Sequence, residues 1–151
     1  MIRVQAEDFD PGAVLAEFTA GNGRVGGICV FVGLVRDFHD GDPVTAMTLD
    51  HYPGMTERQL AAIEAEARTR WPLVDVLVIH RVGRLEAGAR IVLVATAAAH
   101  RAAAFESCQF LMDWLKTRAP FWKLEHRPDG ENWVAAAAED DDRAARWDPH
   151  P

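Results

Sequence analysis

The sequence predicts an α+β domain built on a largely antiparallel sheet. Short apolar runs come in adjacent pairs rather than alternating singly with helices, which favours α+β over a doubly wound sheet. Three longer stretches carry helical periodicity with start and stop signals. The length, 151 residues, fits one domain, and a chain of this size buries roughly 68–70% of its unfolded surface.

Ile2–Gln5 alternates weakly and reads as an edge strand. Asp10-Pro11 is an N-cap followed by proline at the first helical position, so a helix should run to about Thr19 and stop at Gly21-Asn22-Gly23. Gly27–Val35 is a continuous apolar run rich in β-branched residues, a buried strand. Asp40-Gly41-Asp42-Pro43 is turn chemistry, and Val44–His51 reads as the next strand. These two strands are expected to form a hairpin with a loop at 36–43. Thr56-Glu-Arg-Gln59 has capping-box spacing, and a helix should follow to about Arg70 with Leu60, Ile63 and Ala67 inward. Trp71-Pro72 ends it.

Val74–His80 and Arg90–Ala97 are two more apolar strands, and His100–Arg118 is a third helix burying Ala104, Cys108, Leu111 and Leu115. Pro120 breaks the pattern, Phe121–Arg127 is extended, Asp129-Gly130 turns, and Asn132–Val134 returns. Residues 1–138 read as a single domain. Residues 139–151 read as an acidic tail, a frayed or solvated end on its own, with ordering on assembly left open.

Composition excludes several classes. No apolar run approaches the ~20 residues of a membrane-spanning helix, and the start shows no signal-peptide pattern. The two cysteines, Cys29 and Cys108, form neither a disulfide framework nor a metal knuckle, so a reducing cytoplasm is expected. None of the six histidines, His39, His51, His80 and tail residue His150 among them, shows metal-ligand spacing, and no metal or cofactor is expected. The net charge of −7 argues against nucleic acid. Residues 100–127 nonetheless hold five basic side chains against three acidic ones, a local +2 that leaves −9 on the remainder. A basic island on an acidic protein suits a small anionic ligand. Gly21–Gly26 matches G-x-G-x-x-G, but a helix precedes it and a strand follows, the reverse of a dinucleotide site.

The chemistry-bearing residues gather late in the chain. His100 and Arg101 open a helix, where unpaired N–H groups and a forked guanidinium together suit phosphate. Lys116 ends that helix, where a cation also suits the dipole, and Lys123 follows Pro120 on an extended segment. A turn at Pro120 can bring both ammonium groups into one cleft beside Phe121 and Trp122, where each would lower the other's pKa, a shift that could bring one lysine into acid–base range. Arg36 stands at the mouth of a buried strand, placed to hold an anion or simply to face water.

Five segments in register carry a resemblance: Phe31-Val-Gly-Leu-Val-Arg36, Asp50-His-Tyr-Pro-Gly-Met-Thr56, His80-Arg-Val-Gly83, His100-Arg-Ala-Ala-Ala-Phe-Glu106 and Lys116-Thr-Arg-Ala-Pro-Phe-Trp-Lys123. Together they resemble the large, catalytic subunit of molybdopterin synthase, the MoaE family, from about residue 3 to Trp147. The resemblance implies an α/β-hammerhead fold with a small extra β subdomain. It also implies a homodimer that docks two small ubiquitin-like sulfur-carrier subunits, giving a heterotetramer. The carrier's C-terminal Gly-Gly thiocarboxylate would deliver two sulfurs in turn to cyclic pyranopterin monophosphate, forming the molybdopterin dithiolene.

By the same resemblance Lys116 and Lys123 are catalytic, Lys116 the more critical, and Arg36, His100, Arg101, Leu34, Val35, Leu124 and Glu125 bind substrate. His100 and Arg101 are expected from the neighbouring chain. Leu34 departs from relatives with lysine there. The sequence ends Asp148-Pro-His-Pro151 with no Gly-Gly, so dependence on a separate carrier is expected. No metal is required, because sulfur insertion precedes molybdenum loading. Two other readings remain: a non-catalytic carrier-binding module of the same fold, disfavoured by the lysine pair, and a phosphate-ester hydrolase using His100 and Arg101, which lacks an evident nucleophile.

Overall fold

The structure, a computed structural model, describes residues 1–149; His150, assigned to the tail, lies outside the described residues. The elements run β1 (Ile2–Gln5), α1 (Pro11–Thr19), β2 (Gly27–Leu34), β3 (Phe38–His39), β4 (Asp42–Pro43), β5 (Ala46–His51) and α2 (Met55–Arg70). They continue through β6 (Leu73–Arg81), β7 (Gly83–Glu86), β8 (Arg90–Ala98), α3 (Arg101–Arg118), β9 (Phe121–Arg127), β10 (Gly130–Val134) and α4 (Ala138–Ala145). The expected α+β architecture with mostly antiparallel pairing is what forms. Among the described residues no helix is long and apolar enough to cross a membrane.

One sheet has the order β1-β6-β8-β2, in which only β1–β6 is parallel. Both of its faces are covered, which explains the unbroken apolar runs of its central strands. Val76, Val78 and Val94 pack with Leu60, Ile63, Phe110, Leu111 and Trp114 of α2 and α3. Leu77, Ile79, Leu93 and Ala95 point the other way, against Phe9 and, from α1, Val14 and Phe18. A second, antiparallel sheet has the order β10-β9-β5-β7 and a small core of Val35, Leu49 and Leu85.

The expected hairpin of 27–35 with 44–51 does not form. β2 pairs with β8, while β5 pairs with β7 and β9, so the chain changes sheets between them. The connection makes its own two-stranded hairpin instead, with Phe38 opposite Pro43 and His39 opposite Asp42. Asp40 (φ 51) and Gly41 (φ 82) turn it, the two positive φ angles of a type I′ turn.

Two local readings also change. The N-cap of α2 is Gly54, whose N–H donates to Glu57 at 2.6 Å. Thr56 is buried, its hydroxyl accepting from the Tyr52 N–H and donating to the Pro120 carbonyl. The acidic run is solvated but not frayed. It forms α4, which buries Ala144 against α3. Trp147 beyond it meets Trp71 and Phe110 edge-on and donates to Asp113 at 2.7 Å.

Candidate active site

Pro120 does what a proline after a helix must do: Ala119 turns extended (φ −87, ψ 132) and the chain leaves α3 as β9. Alternation along β9 then places Phe121, Lys123 and Glu125 on one face. That face closes a cleft whose other walls are the ends of α3 and β2, the β3–β4 hairpin, and the alanine segment before α4. Two lobes meet there. The polar lobe, about 320 Å³, is lined by His39, Glu125, Ala135–Ala137 and Asp140. The apolar lobe, about 410 Å³, is lined by Phe31, Val32, His80, Met112 and Leu115. Leu34, Arg36, Lys116, Phe121 and Lys123 belong to both, so the two ammonium groups stand at the junction. They are the only lysines among the 151 residues, against fourteen arginines.

The environment acts on Lys123 in a definite direction. Burial, and then the positive charge of Lys116, lower its pKa from 10.5 to about 8, opposed by the carboxylates of Asp140 and Glu125. At that value a fraction of Lys123 is a neutral amine near pH 7, as proton transfer requires. His80, which the sequence reading placed only near a strand end, stacks on Phe121 with ring centroids 3.7 Å apart. Burial lowers its pKa to about 4, and both lysines add to the effect. It is therefore neutral at pH 7. With its Nδ1–H donating to the Arg81 carbonyl at 2.8 Å, its other ring nitrogen is an acceptor.

The structure brings Leu34, Arg36, Lys116, Lys123 and Glu125 together. It does not bring in the other four expected residues. Val35 is 2% exposed and lies in the core under the second sheet. Leu124 points to the opposite face of β9, facing Thr48 and Trp133 across the ladder. His100 and Arg101 are exposed at the start of α3, sixteen and fifteen positions before Lys116 and so about 22–24 Å away along the helix axis. The α3 N-cap, His100, makes no side-chain capping bond, and the first turn holds no acid. The unpaired N–H groups of that turn thus face solvent beside two basic side chains. Glu125 is less a surface contact than a buried acid, 1% exposed, held by His39 and Arg127. The sequence reading missed His39 and His80 as lining residues, and of the two aromatics it set beside the lysines Phe121 lines the cleft and Trp122 does not. The chain's avoidance of lysine everywhere but in the cleft was a compositional signal that it also passed over.

The family model described as MoaE protein matches residues 4–118. Over 147 residues the chain is 53% identical to the molybdopterin synthase catalytic subunit of Pseudomonas aeruginosa, covering 97% of this chain and 98% of that one. The solved molybdopterin biosynthesis MoaE protein from Burkholderia ambifaria matches with a TM-score of 0.83 and 54% identity, over 97% of each chain. A complex of subunits 1 and 2 of molybdopterin-converting factor from Helicobacter pylori matches with a TM-score of 0.73, over 88% of this chain and 89% of that one. At 21% identity it speaks to the fold alone.

Proposed function

The chain belongs to the MoaE protein family, and from that membership we propose that it is the catalytic subunit of a molybdopterin synthase. The reaction is sulfur transfer. A small ubiquitin-like carrier brings a C-terminal Gly-Gly thiocarboxylate whose sulfur bonds to cyclic pyranopterin monophosphate; water then cleaves the acyl–sulfur bond, the carrier leaves as a carboxylate, and a second carrier delivers the second sulfur. The cyclic phosphate opens and the dithiolene forms. The observation that carries this reading is the pair Lys116 and Lys123 at the junction of a polar and an apolar lobe. Both reactants carry negative charge, one on the thiocarboxylate and the other on the phosphate, and an ammonium pair in the cleft attracts them and stabilises the charge that develops.

Each residue then has a task. Lys116 offsets charge at the thiocarboxylate. Lys123, with its lowered pKa, exchanges the proton. Arg36 holds the phosphate or pterin with a forked donor. His80 and Phe121 give the apolar lobe a flat, neutral wall suited to an aromatic ring system. His100 and Arg101, remote from the cleft in one chain, serve the cleft of the second chain of a homodimer. Two carriers complete a heterotetramer in the cytoplasm.

Purified chain mixed with thiocarboxylated carrier and cyclic pyranopterin monophosphate is expected to form molybdopterin. No product above background contradicts the reading. Tight carrier binding without product would favour the non-catalytic module.

A further inference from the structure

Two side-chain rivets tie the β3–β4 hairpin to β9. Arg127 Nη1 donates to Asp42 at 3.0 Å, and His39 Nδ1 lies 2.5 Å from Glu125 Oε1. The spacing is regular: His39 and Asp42 are cross-strand partners in the hairpin, and Glu125 and Arg127 share one face of β9. The His39 rivet differs in what it holds. The Glu125 side chain is only 2% exposed, and a buried carboxylate stays charged only when paired. Both of its partners use the same oxygen, Oε1: His39 at 2.5 Å and Arg127 Nη2 at 3.5 Å. Two positions earlier on that face stands Lys123, which lines the polar lobe together with Glu125. A carboxylate free to turn would pair with that ammonium.

We propose that His39 is a positioning residue for the lysine pair: by taking one oxygen of buried Glu125, it keeps this carboxylate from neutralising Lys123 and leaves the two ammonium groups facing each other. The role rests on the lysine centre proposed above. Lys123 is faced by Lys116 from α3, His80 from β6, Asp140 from α4 and Glu125 from its own strand, with Arg36 from the end of β2 also lining the cleft. The two acids of this set are each engaged elsewhere, Asp140 with Arg143 at 4.0 Å and Glu125 with His39 at 2.5 Å and, more loosely, Arg127 at 3.5 Å. His39 itself is flanked by Asp40, 3.5 Å from its Nε2. Releasing Glu125 is therefore the change that supplies Lys123 with a counter-ion.

Because Lys116 and Lys123 are the only lysines, isotope-labelled lysine gives two side-chain NMR signals, which can be titrated in the complete chain without substrate or carrier. His39→Ala is expected to move the Lys123 titration upward by about one pH unit or more, the size of effect an adjacent opposite charge produces. His39→Asn, whose amide nitrogen is as many bonds from Cα as histidine Nδ1, restores the native titration. The double variant His39→Ala with Glu125→Gln lacks the carboxylate and loses the upward shift. Asp42→Ala removes the acceptor of the other rivet and leaves Lys123 where it was. An unshifted Lys123 in folded His39→Ala overturns the proposal. So does an equal shift in Asp42→Ala, since both rivets would then merely hold the hairpin. Should His39→Ala fail to fold, His39→Leu keeps the bulk without a donor and is read by the same outcomes. A failed titration test leaves the sulfur-transfer reading standing, and a failed sulfur-transfer assay leaves the titration result standing.

Discussion

The titration of Lys123 follows from its position. Its charged form is disfavoured in the fold, so on raising the pH it releases its proton near 8 rather than 10.5. Between those values the unfolded chain binds the extra proton, so folded stability rises with pH across that window. Lys116→Met removes the neighbouring charge, and the Lys123 NMR titration is expected to move up toward the ordinary value. The opposite movement would mean that Lys116 is not the neighbour that matters. His80 gives the second pH signature. Its folded pKa is lowered to about 4 from 6.5, so as pH falls through that interval the unfolded chain gains a proton that the folded chain refuses. Up to roughly 3 kcal/mol of stability is lost there. His80→Phe keeps a ring against Phe121 and should flatten the fall in melting temperature between pH 6.5 and 4. An unchanged slope would place the acid sensitivity elsewhere.

Elements were legible where a single local signal governed them. Asp10-Pro11 sets a helix start by side-chain capping and a fixed φ, Trp71-Pro72 and Pro120 set helix ends through backbone sterics, and α1, α2 and α3 begin or end there. Pairing was less legible, because β2 finds β8 across more than fifty residues and no local pattern encodes that choice. β7 gave no signal in the sequence, since four residues beside β5 need no periodicity of their own. α4 was hidden by its acids: the docking is carried by Ala144, Trp147 and the pairing of Arg146 with Asp113 at 2.6 Å, not by an apolar stripe. Trp147→Ala should undock this helix and lower unfolding free energy in urea by roughly 2–3 kcal/mol, below the range for a fully buried tryptophan. Loss of α4 contact without loss of stability would contradict that. Gly26 fixes the approach to α3: a Cβ there would lie 2.1 Å from the Ala99 carbonyl oxygen. Gly26→Ala should therefore destabilise by about 1–3 kcal/mol and disturb His100 and Arg101, read by thermal melting.

At the largest scale, one chain keeps the lysine cleft and the residues proposed to complete it, His100 and Arg101, far apart. The lysine cleft and the His100–Arg101 helix start sit at opposite ends of α3, and sequence spacing alone does not say which copy of the chain completes which cleft. If clefts are completed between chains, mixing a His100→Ala/Arg101→Ala chain with a Lys116→Ala chain should regain activity that neither parent has. No recovery in demonstrated mixed dimers would confine the site to one chain. Sulfur transfer by the lysine pair remains a proposal. Its most direct test is single-turnover formation of molybdopterin by the wild-type chain and by Lys116→Ala, with the same thiocarboxylated carrier and pterin substrate. The expected result is a rate lowered by about 10²–10⁴ in the variant, with dimer formation and carrier affinity unchanged. Near-wild-type turnover by Lys116→Ala would contradict it.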